Sequence, residues 1–248
     1  MRIGILTGGG DCPGLNAVIR AAVRAVEVDR GGTVLGFADG WRGVLEDRFE
    51  LLTVERCRGI LPRGGTILGT SRDQPYQQPD GVDRVREAVD YHRLDAIVAI
   101  GGDGTMGVVK DLHRDGVPVV GVPKTIDNDI IGTEMTFGFQ TAVQICADAI
   151  DRLHTTAESH DRVLVTEVMG RHVGHIAVWA GLAGGATMTL VPEEPFDLDD
   201  VAERIIARHH HGRWATIVVV AEGALPAQGT LELEAPPVDA YGHQVLGG

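Results

Sequence analysis

From Ala96 to Ile130 the chain reads AIVAIGGDGTMGVVKDLHRDGVPVVGVPKTIDNDI, and this stretch restricts the fold more than any other. The apolar run Ala96 to Ile100 has strand length and passes at once into Gly101-Gly102-Asp103-Gly104-Thr105. Met106, Val108, Val109 and Leu112 then suit one helix face. A second apolar run, Val117 to Val122, ends in Pro123-Lys124-Thr125 and the acidic stretch Asp127-Asn128-Asp129. Strand, helix and strand at this spacing predict a βαβ unit, which brings a parallel sheet with it. Both strands run into polar or glycine-rich sequence at their carboxyl ends, the edge at which open parallel sheets bind ligands.

The residue types at that edge suit phosphate. Glycines after a buried strand let backbone N–H groups come close to an anion, and the helix beginning near Thr105 turns its positive end the same way. Asp103 would repel a phosphate, so it reads either as the carboxylate of a divalent cation, Mg²⁺, or as a plain turn aspartate. Asp127 and Asp129 stand two apart, and in an extended segment they would point the same way. One reading makes one of them a base and the other a metal or structural carboxylate; the other makes them an Asx-turn that ends the strand.

The first half of the chain offers a second cradle. Arg2 to Thr7 is a short apolar strand, Gly8-Gly9-Gly10-Asp11-Cys12-Pro13-Gly14 follows, and Val18, Ile19, Ala22, Val23 and Val26 then mark a helix. No Gly-Lys-Ser/Thr and no GxGxxG fingerprint is present, so the loop alone does not distinguish a phosphate cradle from a tight turn. Thr33 to Phe37 is a further strand. Arg63 to Asp73 forms a long loop of glycine, hydroxyl and arginine, in which Arg63 reads as a surface residue and Arg72 as a phosphate clamp. Val82 to Tyr91 is a helix. Beyond Ile130 the alternation resumes: a helical stripe from Ala142 to Leu153, a strand from Val163 to Val168 ending in Met169-Gly170-Arg171, a strand at Thr187 to Leu190, a helix from Leu198 to His209, and a strand from Thr216 to Ala221 ending in Glu222-Gly223. The expected architecture is α/β, with domains at 1–137 and 138–248 facing across a cleft. Three adjacent histidines, His209 to His211, cannot all face one ion and suit a helix end.

Composition narrows the partners. The 248 residues suffice for one large or two modest domains, and 34 glycines with 44% hydrophobic residues suit many strand-to-helix turns. A net charge of −13 argues against nucleic acid or an anionic membrane surface as principal partner, so a phosphate site has to be assembled locally from arginines, Mg²⁺ and helix ends. Cys12, Cys57 and Cys146 are unclustered, and no signal peptide or long apolar run stands at the amino end. A cytoplasmic protein is the expectation.

Five motifs, in order and in register, resemble the signatures of the 6-phosphofructokinase family. They are Gly9-Gly10-Asp11-Cys12-Pro13-Gly14-Leu15-Asn16, Gly101 to Thr105, Pro123 to Asp129, Met169-Gly170-Arg171 and Val220-Ala221-Glu222-Gly223. GGDGT alone occurs in lipid and NAD kinases too, but those families do not explain TIDND together with MGR. The resemblance implies two Rossmann-like αβα domains, phosphoryl transfer from ATP to the 1-hydroxyl of fructose 6-phosphate, and an oligomer, tetramer or dimer, whose subunits complete one another's sugar-phosphate site. It implies that Gly10, Arg72, Asp73, Gly102, Asp103, Gly104 and Thr105 bind the nucleotide, with Asp103 on Mg²⁺. Thr125, Ile126, Asp127, Asp129, Met169, Gly170, Arg171 and Glu222 would hold the sugar phosphate, and Arg162 would reach the substrate of the adjacent subunit. Asp127 would be the general base, with Arg171 and Lys124 beside it in the catalytic set. Arg20 and Arg24 match positions that bind an allosteric anion in bacterial relatives, although His154 stands where a further arginine is expected.

The phosphoryl donor turns on two positions. Pyrophosphate users in the family resemble one another in carrying Asp after the metal-site aspartate and Lys before the TIDND motif. This chain has Gly104 and Lys124, one feature of each kind. Glycine leaves room for the α-phosphate, and Lys124 can serve either donor, so ATP is favoured and pyrophosphate is the alternative. Family members also continue through a further strand, helices and a His-x-x-Arg pair. Here His243 is followed three places on by Leu246, so the chain reads as C-terminally truncated, its second domain incomplete, with a non-catalytic binding remnant as a further alternative.

Overall fold

Strands buried on both faces build the first half of the molecule. The structure, a computed structural model, describes residues 1–227. Its chain divides into two compact units, Met1–Gly138 and the remainder from Phe139.

In the first unit, β1 (Arg2–Thr7), α1 (Leu15–Arg30), β2 (Thr33–Phe37), α2 (Trp41–Leu45) and β3 (Phe49–Leu52) come first. They are followed by α3 (Gly81–Tyr91), β4 (Ala96–Gly101), α4 (Asp103–Arg114), β5 (Val119–Thr125) and β6 (Phe137–Gly138). The six strands form one sheet in the order β3-β2-β1-β4-β5-β6. All pairings are parallel except β2 with β3. Successive side chains go to opposite faces, so each strand feeds two cores. On one face Leu6, Phe37, Ile97 and Ala99 pack with Val85 and Val89 of α3 and Val108 and Leu112 of α4. On the other, Ile3, Ile5, Val34 and Ile100 pack with Leu15, Ile19 and Val23 of α1. The result is a three-layer sandwich.

The chain leaves β1 toward β2 on one side and leaves β4 toward β5 on the other. The direction of winding therefore reverses between β1 and β4, and the loops that open α1 and α4 both start at this switch point. Thr7 pairs with Ile100 and Gly101 with Pro123, so the glycine loop, GGDGT and the Lys124 segment share one sheet edge.

The second unit contains α5 (Phe139–His160), β7 (Val163–Val168), α6 (His175–Ala183), β8 (Met188–Leu190), α7 (Leu198–His210) and β9 (Thr216–Ala221). Its strands form a parallel sheet ordered β7-β9-β8. Central β9 is almost wholly buried, whereas edge strand β7 alternates exposed and half-buried residues, and α7 has no buried residue. At the end of α7, His209 meets the carbonyl of Trp214 at 3.0 Å and His211 that of Ala207 at 2.7 Å, which is the work of a helix terminus.

Sequence periodicity does not anticipate α2, β3 or β6. α2 is five residues long and β6 two, too short for a period to show. β3 reads FELL, and its place is set by pairing with β2, not by alternation of its own. β5 starts at Val119, two residues into the apolar run, and continues to Thr125. The segment with His243 and Leu246 lies outside the described residues.

Candidate active site

Packing around Thr105 fixes the first part of the sheet edge. Its side chain is buried at the first turn of α4. A Cβ on Gly101 would stand 2.3 Å from its hydroxyl, and one on Gly8 2.8 Å. Real Cβ atoms do not come so close, so both glycines are required for the ends of β1 and β4 to close on this threonine. Gly8 donates to the carbonyl of Ile100 at 2.9 Å, which locks the two strand ends together. Thr105 and Gly101 thus shape the loop, and the neighbouring glycines leave room. A Cβ on Gly10 would have nothing within 4 Å, and one on Gly104 would meet only the amide nitrogen of Gln74, at 3.7 Å. Asp103 is exposed, and Gly102 half-buried, at the amino end of α4.

The loop 63–73 does not run free over the surface as its composition suggests. Buried Asn16 accepts from Ile67 N–H at 2.9 Å and donates to the carbonyls of Arg63 and Gly64. Thr7 donates to Gly69 at 2.7 Å, Thr70 to Gly9 at 2.5 Å and Ser71 to Asp39 at 2.7 Å. Gly9 N–H donates to Ser71 at 3.0 Å. These bonds set the backbone of Ser71 against the glycine loop and carry Arg72 and Asp73 to the same edge. Arg72 is exposed, and Asp73 accepts from Arg42 at 2.7 Å.

Lys124, at the end of β5, is only 4% exposed. Its ammonium donates to the carbonyl of Gly10 at 2.6 Å and so ties the β5 end to the first glycine loop. Burial lowers its pKa, while the charges of Cys12, Asp11 and Asp127 act in the opposite direction. Burial pushes the Cys12 thiol up to about 11, against the pull of Lys124. Asp127 is 9% exposed, and its N–H donates to the Thr125 hydroxyl at 3.1 Å. Thr125 and Ile126 are half-buried between these groups.

The expectation that Asp127 and Asp129 point the same way fails. Asn128 between them has φ 58°, in the left-handed region, so the segment is not extended and period-two alternation does not apply. Asp127 turns into the structure and Asp129 is exposed. Only one carboxylate of the pair is held in a built environment.

In the second unit, Val168 pairs with Ala221, which sets Met169-Gly170-Arg171 beside Glu222 at that sheet's carboxyl edge. One carboxylate oxygen of Glu222 accepts the N–H of Gly170 at 3.0 Å and that of Arg171 at 2.7 Å. A Cβ on Gly223 would lie 1.9 Å from the carbonyl of Arg171, so glycine is required for this approach. Met169 and Arg171 are both exposed. Arg162 lies at the opposite, amino end of β7, and within one chain it is not part of this group.

The arginines flagged on α1 gain a third. Arg20, Arg24 and Arg58, with Val54 and Gly59, line a cavity of about 200 Å³. Arg58 carried no signal in the sequence, because it lies outside α1 and its neighbours are ordinary loop residues. Thr136 was missed for a similar reason: it bonds back across the chain to Thr125 and Asn128, and only the fold brings these together. Among the described residues no helix is long and apolar enough to cross a membrane.

Comparison with known proteins identifies the family. A family model described as phosphofructokinase matches residues 2–244. The chain is 53% identical over 248 residues to ATP-dependent 6-phosphofructokinase 3 of Streptomyces coelicolor, covering 100% of this chain and 73% of that one. It is 54% identical to pyrophosphate–fructose 6-phosphate 1-phosphotransferase of the same organism, covering 100% of this chain and 72% of that one. Among solved structures it is similar to the phosphofructokinase of Pichia pastoris in the T-state, with TM-score 0.83 and 32% identity over 91% of this chain and 26% of that chain. The chain therefore spans about three quarters of the curated relatives and a smaller part of the yeast subunit, and it belongs to the phosphofructokinase family.

Proposed function

We propose that the chain transfers the terminal phosphoryl group of ATP to the 1-hydroxyl of fructose 6-phosphate, giving fructose 1,6-bisphosphate. The observation that carries this is the buried Asp127 at the sheet edge shared by both glycine loops and the amino end of α4. Its carboxylate takes the proton of the attacking hydroxyl. Phosphoryl transfer otherwise needs alignment and charge neutralisation, supplied by Arg72, Arg171 and the N–H groups around Gly10, Gly102 and Gly104. Mg²⁺ is commonly held by one or two carboxylates together with substrate phosphates, and exposed Asp103 beside open glycines fits that donor set. When bound, the ion neutralises phosphate charge. In this reading 1–137 is the nucleotide and Mg²⁺ domain. The sugar-phosphate residues of the part from 138 to 248 are Met169, Gly170, Arg171 and Glu222, those of the first part are Thr125, Ile126 and Asp129, and Arg162 serves an adjacent subunit.

The donor reading rests on Gly104. Glycine in a helix costs about 1 kcal/mol against alanine, and no packing at this position demands it. Its value is the space it leaves for a nucleotide α-phosphate. Lys124 supports the pyrophosphate alternative, since its ammonium lies within reach of the glycine loop, and relatives of about equal identity carry either donor in their names. The cavity of Arg20, Arg24 and Arg58 suits an anionic effector, and a homo-oligomer, tetramer or dimer, in a reducing cytoplasm suits the exposed apolar side chains and three free thiols.

Steady-state formation of fructose 1,6-bisphosphate with Mg²⁺, comparing ATP with pyrophosphate and using Asp127→Ala as the blank, tests the proposal. Turnover with ATP that the variant loses is the expected result. Turnover with pyrophosphate alone sinks the argument from Gly104, and a folded chain that binds ATP without turnover is a binding remnant.

A further inference from the structure

We propose that Asn128 and Thr136 are positioning residues that fix the Asp127 carboxylate by closing the excursion 129–135 back onto the end of β5. This rests on the reading of Asp127 as the base.

The geometry is a closed circuit. Asn128 turns the chain at φ 58°, a conformation that asparagine tolerates better than most residues. Its side-chain amide donates to the carbonyl of Glu134 at 3.2 Å, and its Oδ1 accepts the N–H of Thr136 at 2.9 Å. Thr136, 3% exposed, gives its hydroxyl proton to the carbonyl of Thr125 at 2.7 Å; the 3.3 Å approach to Asn128 Oδ1 is the longer alternative. Thr125 in turn accepts the N–H of Asp127 on its own hydroxyl at 3.1 Å. Immediately after Thr136, Phe137 and Gly138 pair in parallel with Lys124 and Thr125.

This arrangement differs from the Asx-turn that the sequence allows. An Asx-turn bonds to the backbone two residues on, whereas Asn128 bonds to residues six and eight places ahead. A strand could be ended with far less. The circuit instead holds both neighbours of Ile126-Asp127: Thr125 by its carbonyl and hydroxyl, and Asn128 by its side chain. The backbone at Asp127 is therefore pinned to the sheet edge, which fixes the point from which its carboxylate starts. A general base must stay within hydrogen-bond reach of the proton it takes, and a misplacement of about 1 Å can cost about 100-fold in rate.

The test is kinetic analysis of Asn128→Gly, Thr136→Val and Thr136→Ser beside Asp127→Ala, with amide hydrogen exchange of residues 125–137 as a second readout independent of turnover. Asn128→Gly keeps the left-handed turn and loses only the side chain; Thr136→Val keeps the shape and loses only the hydroxyl. Both should lower kcat by about 10- to 100-fold, with KM for ATP within about twofold, and both should lose exchange protection at Asp127. Thr136→Ser should restore kcat. Unchanged kcat, unchanged protection, or a lower melting temperature without loss of kcat in the two variants would overturn the positioning role while leaving Asp127 as the base. If Asp127→Ala itself keeps activity, the reading of the base fails, and with it the reason for positioning anything there.

Discussion

Cys12 sits where a charge would be costly. Its thiol is 4% exposed, donates to the carbonyl of Phe137 at 3.4 Å, and would lie 2.1 Å from a Cβ on Gly138, so sulfur and glycine are fitted to one another. Burial moves its pKa from the ordinary 9.0 to about 11. A group whose pKa is raised in the folded state holds its proton while the unfolded chain has already lost it. The corresponding stability is complete below pH 9 and declines as pH rises toward 11. Lys124 acts in the opposite sense: burial lowers its pKa from 10.5, so its penalty is full at lower pH and is relieved as pH rises toward 10.5. The two partly cancel in the wild type. In Cys12→Ala this falling contribution is removed, while those of Lys124, Cys57, Cys146 and Tyr76 remain in both proteins. Urea unfolding between pH 8.5 and 11 should show the variant gaining on the wild type as pH rises, and a constant gap would show that the thiol does not titrate as a buried group.

At the scale of elements, the amino end of α4 separates glycines that the fold requires from one that it does not. Gly101→Ala drives a methyl into Thr105 and should cost about 1–3 kcal/mol as overpacking. Gly104→Ala meets only the end of the Gln74 side chain and should stabilise by up to about 1 kcal/mol through helix propensity, while weakening ATP use. Urea midpoints with ATP kinetics check both, and destabilisation by Gly104→Ala would mean that the position serves packing after all. The sequence made the βαβ unit around α4 legible because apolar periodicity and glycine punctuation both mark it. Residues 101–105 could be placed at the ligand edge on that ground alone. It could not divide Gly101 from Gly104, because that difference is a distance to Thr105 and not a pattern. Asp127 and Asp129 failed for a related reason: a two-residue period assumes an extended chain, and the left-handed Asn128 is held by bonds to residues 134 and 136. Pairing likewise decided β3 and β6, which are too short to announce themselves.

Across the whole molecule, burial is divided unevenly between the two units. The first has six strands with a packed core on each face, and its β1 and β4 contain Ile5, Leu6, Ile97, Ala99 and Ile100 at 0% exposure. The second has three strands among the described residues; Val165 on β7 is 68% exposed, Leu182 on α6 is 80% exposed, and α7 buries no residue. Local stability follows buried apolar contact, so the units should not open together. Native-state hydrogen exchange in increasing urea should release the amides of β7 and α7 well before those of β1 and β4. Nucleotide then provides a control on the functional division. A ligand at 100 times its Kd stabilises the state that binds it by about 2.7 kcal/mol, so ATP with Mg²⁺ should delay opening of β1 and β4 and leave the earlier opening of α7 in place. Equal shifts in both sets would place nucleotide contacts in the second unit as well, and no shift in β1 or β4 would remove the nucleotide from the glycine loops.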